Sequence, residues 1–232
     1  MRILALDAST EVCAVALGGD EGFVERSAAA GQRHSELMLP MIQAMLTDSG
    51  IGISALDGIA FGSGPGSFTG LRIACGIAQG LALGAGLPVI GIPTLAAMAE
   101  AARLRDGSGR VIAALDARMR EVYVAAYEYE GASWREVVAP AVTVPEAAPL
   151  PTGSNWLGAG GAFGVYPALR ERLQSALVRC DVEITPSASA IGALALPGFI
   201  AGAGVAAREV APLYVRHRVA LTTAERAAGS TL

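Results

Sequence analysis

Apolar residues come first in short blocks and then at helical spacing along this chain. Ile3–Ala8, Cys13–Leu17 and Gly22–Ser27 read as strands, the last two joined through Gly18-Gly19, and the three together predict a meander. From Gln32 to Thr47 the positions Leu37, Met38, Met41, Ile42, Met45 and Leu46 recur at intervals of three and four, which predicts a helix. Leu56–Gly62 then reads as a strand, Ser67 to Gly84 as a helix of small residues, Val89–Ile92 as a strand, and a further helix opens at Thr94. Asp106-Gly-Ser-Gly109 breaks the pattern like a hinge.

The longest apolar window, Ile73–Ile92, is about as long as a membrane span. It contains Gln79, five glycines and Pro88 and ends in a β-type PVIGI, so it reads as a buried helix followed by a buried strand. In the opening MRILALDAST, Asp7 interrupts the apolar run before it reaches signal-peptide length, and the expectation is a cytoplasmic protein without a membrane association.

After the break the chain repeats its own beginning. LDASTEVCAVA at Leu6–Ala16 resembles LDARMREVYVAA at Leu115–Ala126, with one residue inserted in a frame of Leu-Asp-Ala followed by Glu-Val. A strand that ends in aspartate and turns into a second strand, twice in 232 residues, predicts two related α/β lobes, over 1–105 and 110–232, the second reduced and ending in a loose tail.

Composition narrows the chemistry. All 17 basic residues are arginine, so a Walker A loop, which needs a lysine ammonium at the phosphates, is excluded for the glycine-rich stretch Gly62–Ile73, GSGPGSFTGLRI. That stretch also lacks the third glycine of a dinucleotide fingerprint, because Ser67 and Thr69 stand where it would fall, and neither serine has the flanking glycines of a hydrolase elbow. It reads as a tight strand-to-helix turn in which Ser67 or Thr69 caps the helix, with backbone N–H groups near Arg72 as a possible anion site. Three scattered cysteines, Cys13, Cys75 and Cys180, give no disulfide frame or zinc knuckle and read as small core residues. A net charge of −4 leaves no general basic footprint for nucleic acid. The densest basic patch is Tyr214, Arg216, His217 and Arg218.

Two lobes that each open on such a hairpin resemble the actin-like ATPase and sugar-kinase (ASKHA) fold, with βββαβαβα lobes. The resemblance implies that Asp7, Ser9 and Thr10 form a first phosphate hairpin, Asp116 a second, and Gly158 and Gly160 a nucleotide-side loop.

Five segments carry a closer likeness: ILALDAST, GPGSFTGLRIA, GIPTLAAMA, LDARMREVYVA and PLYVRHRVA. In this order and spacing, over nearly the whole chain, they resemble the bacterial TsaB (YeaZ) family. The resemblance implies a noncatalytic subunit of the machinery that forms N6-threonylcarbamoyladenosine on tRNA, next to the anticodon. Catalysis is then expected in the paralogue TsaD, with TsaE, an ATPase, joining a ternary complex and tRNA engaged through the complex. TsaD-like proteins carry a metal-binding His-x-x-x-His pair where this chain has Thr94 and Met98, and the only histidines, His34 and His217, lie elsewhere and read as surface or capping residues.

In the family the first two helices meet TsaD, or a second copy when TsaD is absent. By that resemblance the interface would use Leu37, Met38, Met41, Ile42 and Met45 with Leu71, Ala74 and Ala78, and Gly76, Gly80 and Gly84 would permit close approach. Residues at these spacings also suit an ordinary core, so both readings stand at this level. No resident cofactor or metal is expected of this chain, and ATP or ADP with Mg²⁺ would lie at or near the complex interface. The alternative is an autonomous ATPase or small-molecule kinase of the same fold, using Asp7 and Asp116 around Mg²⁺. A metalloprotease reading has no HExxH, metal pair or serine elbow to support it.

Overall fold

A computed structural model describes residues 1–216. Its first half runs β1 (Ile3–Asp7), β2 (Val12–Gly19), β3 (Gly22–Ala29), α1 (His34–Asp48), β4 (Gly58–Gly64), α2 (Phe68–Ala85), β5 (Val89–Pro93) and α3 (Thr94–Asp106). The second half runs β6 (Arg110–Arg118), β7 (Glu121–Glu130), β8 (Ser133–Thr143), β9 (Trp156–Ala159), α4 (Ala162–Val165), α5 (Pro167–Leu173), β10 (Leu177–Asp181) and α6 (Ala188–Ile200). A single 3₁₀ turn at Pro145–Ala147 stands where the first half has α1, so the second lobe is the reduced one.

The two sheets are the same sheet made twice. The first has the order β3-β2-β1-β4-β5 and the second, taken from its other edge, β8-β7-β6-β9-β10. In both, three strands form an antiparallel meander and two more add in parallel beside its first strand. β1 is buried at all five positions, as expected for the central strand of a sheet covered on both faces.

Packing does not follow the chain's halves. α1 and α2 cover one face of the first sheet, burying Met38, Ile42, Met45, Ala74 and Ala78 against Leu4, Leu6, Val15 and Phe61. The other face is covered by α6 from the second half, through Ala188, Ile191, Ala195 and Phe199 against Ile3, Ala5, Ala14 and Ala60. Reciprocally, Leu95, Met98 and Ala99 of α3 pack on Val111, Ala113 and Ala125 of the second sheet. α3 and α6 also touch each other, forming a central layer between the sheets. The division at 105–110 is therefore one of sequence repeat; in space each lobe's last helix serves the other lobe's sheet.

The predicted bounds hold to within two residues for the first two helices. Ser67 Oγ accepts a hydrogen bond from Gly70 N at 3.2 Å to cap α2, and Gly86 ends it at φ 68°, in the left-handed region. α2 is the one described helix long and apolar enough to cross a membrane; here its Leu71, Ala74, Ala78 and Ala82 face lies on the first sheet.

Candidate functional site

The glycine-rich stretch holds the chain's own backbone. Ser67 N donates to Ser9 O at 2.7 Å, closing the stretch onto the turn between β1 and β2. A Cβ at Gly66 would stand 2.3 Å from Ser9 O, and one at Gly70 only 1.8 Å from Ala8 O. These glycines are there because the loop and the start of α2 press directly on the first hairpin.

That contact decides the state of Asp7. The residue is 1% exposed; its Oδ2 accepts from Ser9 Oγ at 3.0 Å, and its Oδ1 is buried with no partner among the described residues. Gly62 lies so close that a Cβ there would be 2.2 Å from Oδ1. Loss of solvent pushes the carboxyl up to about 7, and the hydrogen bonds from Ser9 only partly oppose this. Thr10 is half-buried, and its carbonyl lies 2.9 Å from Nε2 of His34. His34, expected from the sequence to be a surface or capping residue, is the first residue of α1 and a buried tie between that helix and the hairpin.

On the second hairpin, Asp116 Oδ1 accepts from Arg118 N and from the Tyr166 hydroxyl, each at 2.8 Å. Gly158 is buried, and a Cβ there would meet Phe163, Leu177 and Cys180 within 3.0 Å; a Cβ at Gly160, φ 114°, would meet Ala114 O at 2.3 Å. Both glycines thus answer to close packing around β9. A Mg²⁺-nucleotide does not fit these residues as they stand: Asp7 is covered, Asp116 is held by its own hairpin, and the face of Gly158 is filled by side chains.

The residues expected at a partner interface divide in two. Met38, Ile42, Met45, Leu71, Ala74 and Ala78 are all at most 3% exposed and belong to the first lobe's own core, a correction to their placement on a docking surface. Burial of α1 and α2 against the sheet requires this stripe, so it had no second face to offer. Leu37 and Met41 are half-buried at its border. The exposed row of α2 is the glycine row: Gly76, Gly80 and Gly84 face outward, and a Cβ at any of them would meet nothing within 4 Å among the described residues. Leu83, 78% exposed, stands beside them, and Ile73 and Ile77 are half-buried.

Thr94 and Met98 are fully buried. Cys13 and Cys75 are core residues, whereas Cys180 is half-buried. His217, Arg218 and the tail lie outside the described residues.

Sequence reasoning missed a cleft of about 420 Å³ between the lobes, lined by Phe68, Leu71 and Arg72 of α2, Tyr123 of β7, and Tyr214 and Arg216. The segment after Val210 forms its third wall. Leu213 N donates to Ser63 O at 2.7 Å, Gln79 Nε2 to Val210 O at 3.0 Å, and Arg72 Nε to the Tyr214 hydroxyl at 2.9 Å. Arg216 reaches the second hairpin, donating to Ala117 O at 3.0 Å and pairing with Glu121. The grouping of Tyr214 with Arg216 was visible in the sequence; their meeting with Phe68 and Arg72 depends on a return of the chain that no local pattern encodes.

Two lobes of one strand order, each opened by a strand-turn-strand and separated by a cleft, define the two-lobed actin-like ATPase and sugar-kinase class. Within it, the family model described as TsaD, tRNA N6-adenosine threonylcarbamoyltransferase, matches residues 22–207. The tRNA threonylcarbamoyladenosine biosynthesis protein TsaB of Escherichia coli strain K12 is 41% identical, covering 95% of this chain and 96% of that protein. Its Haemophilus influenzae counterpart is 39% identical over 94% of this chain and 95% of its own length. A solved structure of YeaZ from Pseudomonas aeruginosa superposes with a TM-score of 0.84 at 38% identity, covering 92% of this chain and 99% of that one. The chain belongs to the TsaB family.

Proposed function

We propose that this chain is a noncatalytic, cytoplasmic subunit of the assembly that forms threonylcarbamoyladenosine on tRNA, and that it acts by pairing with a TsaD-like protein. The outward row Gly76, Gly80 and Gly84 is the observation that carries the reading. Each glycine costs a helix roughly 1 kcal/mol relative to alanine. Nothing among the described residues requires them, since a methyl group at each would meet no described atom within 4 Å. Their use is to let another backbone lie directly against α2, with Leu83, Ile77 and the exposed Leu39 of α1 as the apolar border.

A noncatalytic role is supported by Thr94 and Met98 at the positions where TsaD-like proteins carry metal-binding histidines, and by the coverage of Asp7. A nucleotide at the complex interface would have to be held by groups other than the Asp7–Ser9 hairpin. In this reading the same face pairs two copies when the TsaD-like protein is absent, and TsaE and tRNA join through the assembled complex.

Light scattering coupled to size exclusion, on this chain alone and mixed with the TsaD of the same organism, tests the proposal. The expected result is a heterodimer that displaces any homodimer. Gly80→Leu should abolish pairing while the isolated chain keeps its thermal unfolding transition. A heterodimer that survives Gly80→Leu would move the interface elsewhere, and no complex at all would overturn the reading.

A further inference from the structure

The interlobe cleft has a chemistry that neither the fold nor the pairing face requires. The Arg72 guanidinium carbon lies 3.9 Å from the ring centre of Phe68 and 5.9 Å from that of Tyr214, and the two rings are 5.7 Å apart. With its Nε committed to the Tyr214 hydroxyl, Arg72 has no carboxylate partner among the described residues, although it stands in an acidic chain of net charge −4. The two rings remain 45% and 44% exposed. This is an oriented cation between two partly open aromatic faces.

The second hairpin extends the positive surface. Arg118, Met119 and Arg120 follow one another at φ 64°, 55° and 59°, a left-handed run of non-glycine residues that holds both arginines out at the tip. Arg216 braces that tip, its Nη1 lying 2.8 Å from Met119 Sδ, and its own Nε is buried without a partner among the described residues. The acidic groups nearby, Glu11, Asp116 and Glu121, engage Arg118 and Arg216, and among the described residues Arg72 and Arg120 have no carboxylate partner. Aromatic faces beside a cation without a carboxylate partner, next to a hairpin tip that carries two exposed arginines, suit a polyanion with flat rings.

We propose that the cleft binds an unpaired stretch of RNA, with one base stacked on the Phe68–Tyr214 pair and the flanking phosphates on Arg72 and the Arg118–Arg120 tip. The choice of RNA rests on the reading of this chain as part of a tRNA-modifying assembly. Arg72 stands one turn before Gly76 on α2, so measuring the isolated chain as well as the complex lets the two readings fail separately. Phe68 and Arg72 continue the glycine row at four-residue spacing, so a partner seated on α2 borders the cleft and the RNA is presented beside the joint.

Fluorescence anisotropy with labelled, unmodified tRNA, on the complex with TsaD and on this chain alone, tests it. In the complex, Arg72→Ala and Tyr214→Ala should each weaken binding about tenfold or more. Arg120→Ala should lower the slope of log affinity against log salt by about one. Gly80→Leu should spare whatever binding the isolated chain shows, separating the cleft from the pairing face. Three outcomes overturn the proposal: no RNA binding by either form, affinity unchanged in Arg72→Ala and Tyr214→Ala with unfolding transitions intact, or AMP bound as tightly as the RNA, which would make the cleft a site for free nucleotide.

Discussion

Asp7 has exchanged water for the interior beneath Gly62, and its proton follows from that exchange. The carboxyl titrates near 7 when folded and near 3.8 when unfolded, so between these values the folded chain holds a proton that the unfolded chain has lost. Stability is therefore greatest below the unfolded value and declines as pH rises through about 7, by up to about 4 kcal/mol from this group. Urea unfolding followed from pH 4 to 8 should show that decline, and Asp7→Asn should flatten it. The glycines give a paired prediction: Gly80→Ala should stabilise the isolated chain by about 0.5–1 kcal/mol, whereas Gly70→Ala, driven into Ala8 O, should destabilise it by about 2 kcal/mol or more. Thermal unfolding of the two variants checks both signs. In the sequence these glycines look alike, since both fall at small-residue positions of one helix; only the approach of the first hairpin separates them. Asp7 was legible as a strand-end carboxylate, and its burial was not, because the loop that covers it comes some sixty residues later in the chain.

Among the elements, α1 and α2 were readable in kind and nearly in extent because period, cap and stop signal agree: Ser67 begins α2 and Gly86 ends it. Ser67→Ala should cost about 1 kcal/mol, seen as a lowered midpoint in urea. What period alone could not give was the direction of each face. A helix with Ala74, Ala78 and Ala82 on one row and Gly76, Gly80 and Gly84 on another offers two smooth surfaces. The sheet takes the alanine row, because a methyl group fills the space between helix and strand that glycine would leave empty. The methionine stripe of α1 obeyed the same rule: the side chains able to adapt to many partners adapt instead to β1, β2 and β4.

At the scale of the molecule the duplication was visible in two copies of Leu-Asp-Ala and Glu-Val, and the sheets repeat to the level of strand order. The exchange of α3 and α6 was not visible. Both helices are short, rich in alanine and leucine, and carry nothing that names one sheet over the other. A fragment ending at residue 109 should consequently lack a cooperative unfolding transition by circular dichroism, because Ile3, Ala5, Ala14 and Ala60 lose their cover, and adding residues 110–232 should restore it. A fragment that unfolds cooperatively by itself would show that the exchanged helix is dispensable. The same exchange sets a timetable for synthesis. A ribosome delivers the first sheet early, yet the helix that closes it arrives only at residues 188–200, so for most of translation one apolar face of the nascent lobe stays bare. This chain can finish its first half only by nearly finishing its second, and the interval between is when it has most need of a chaperone.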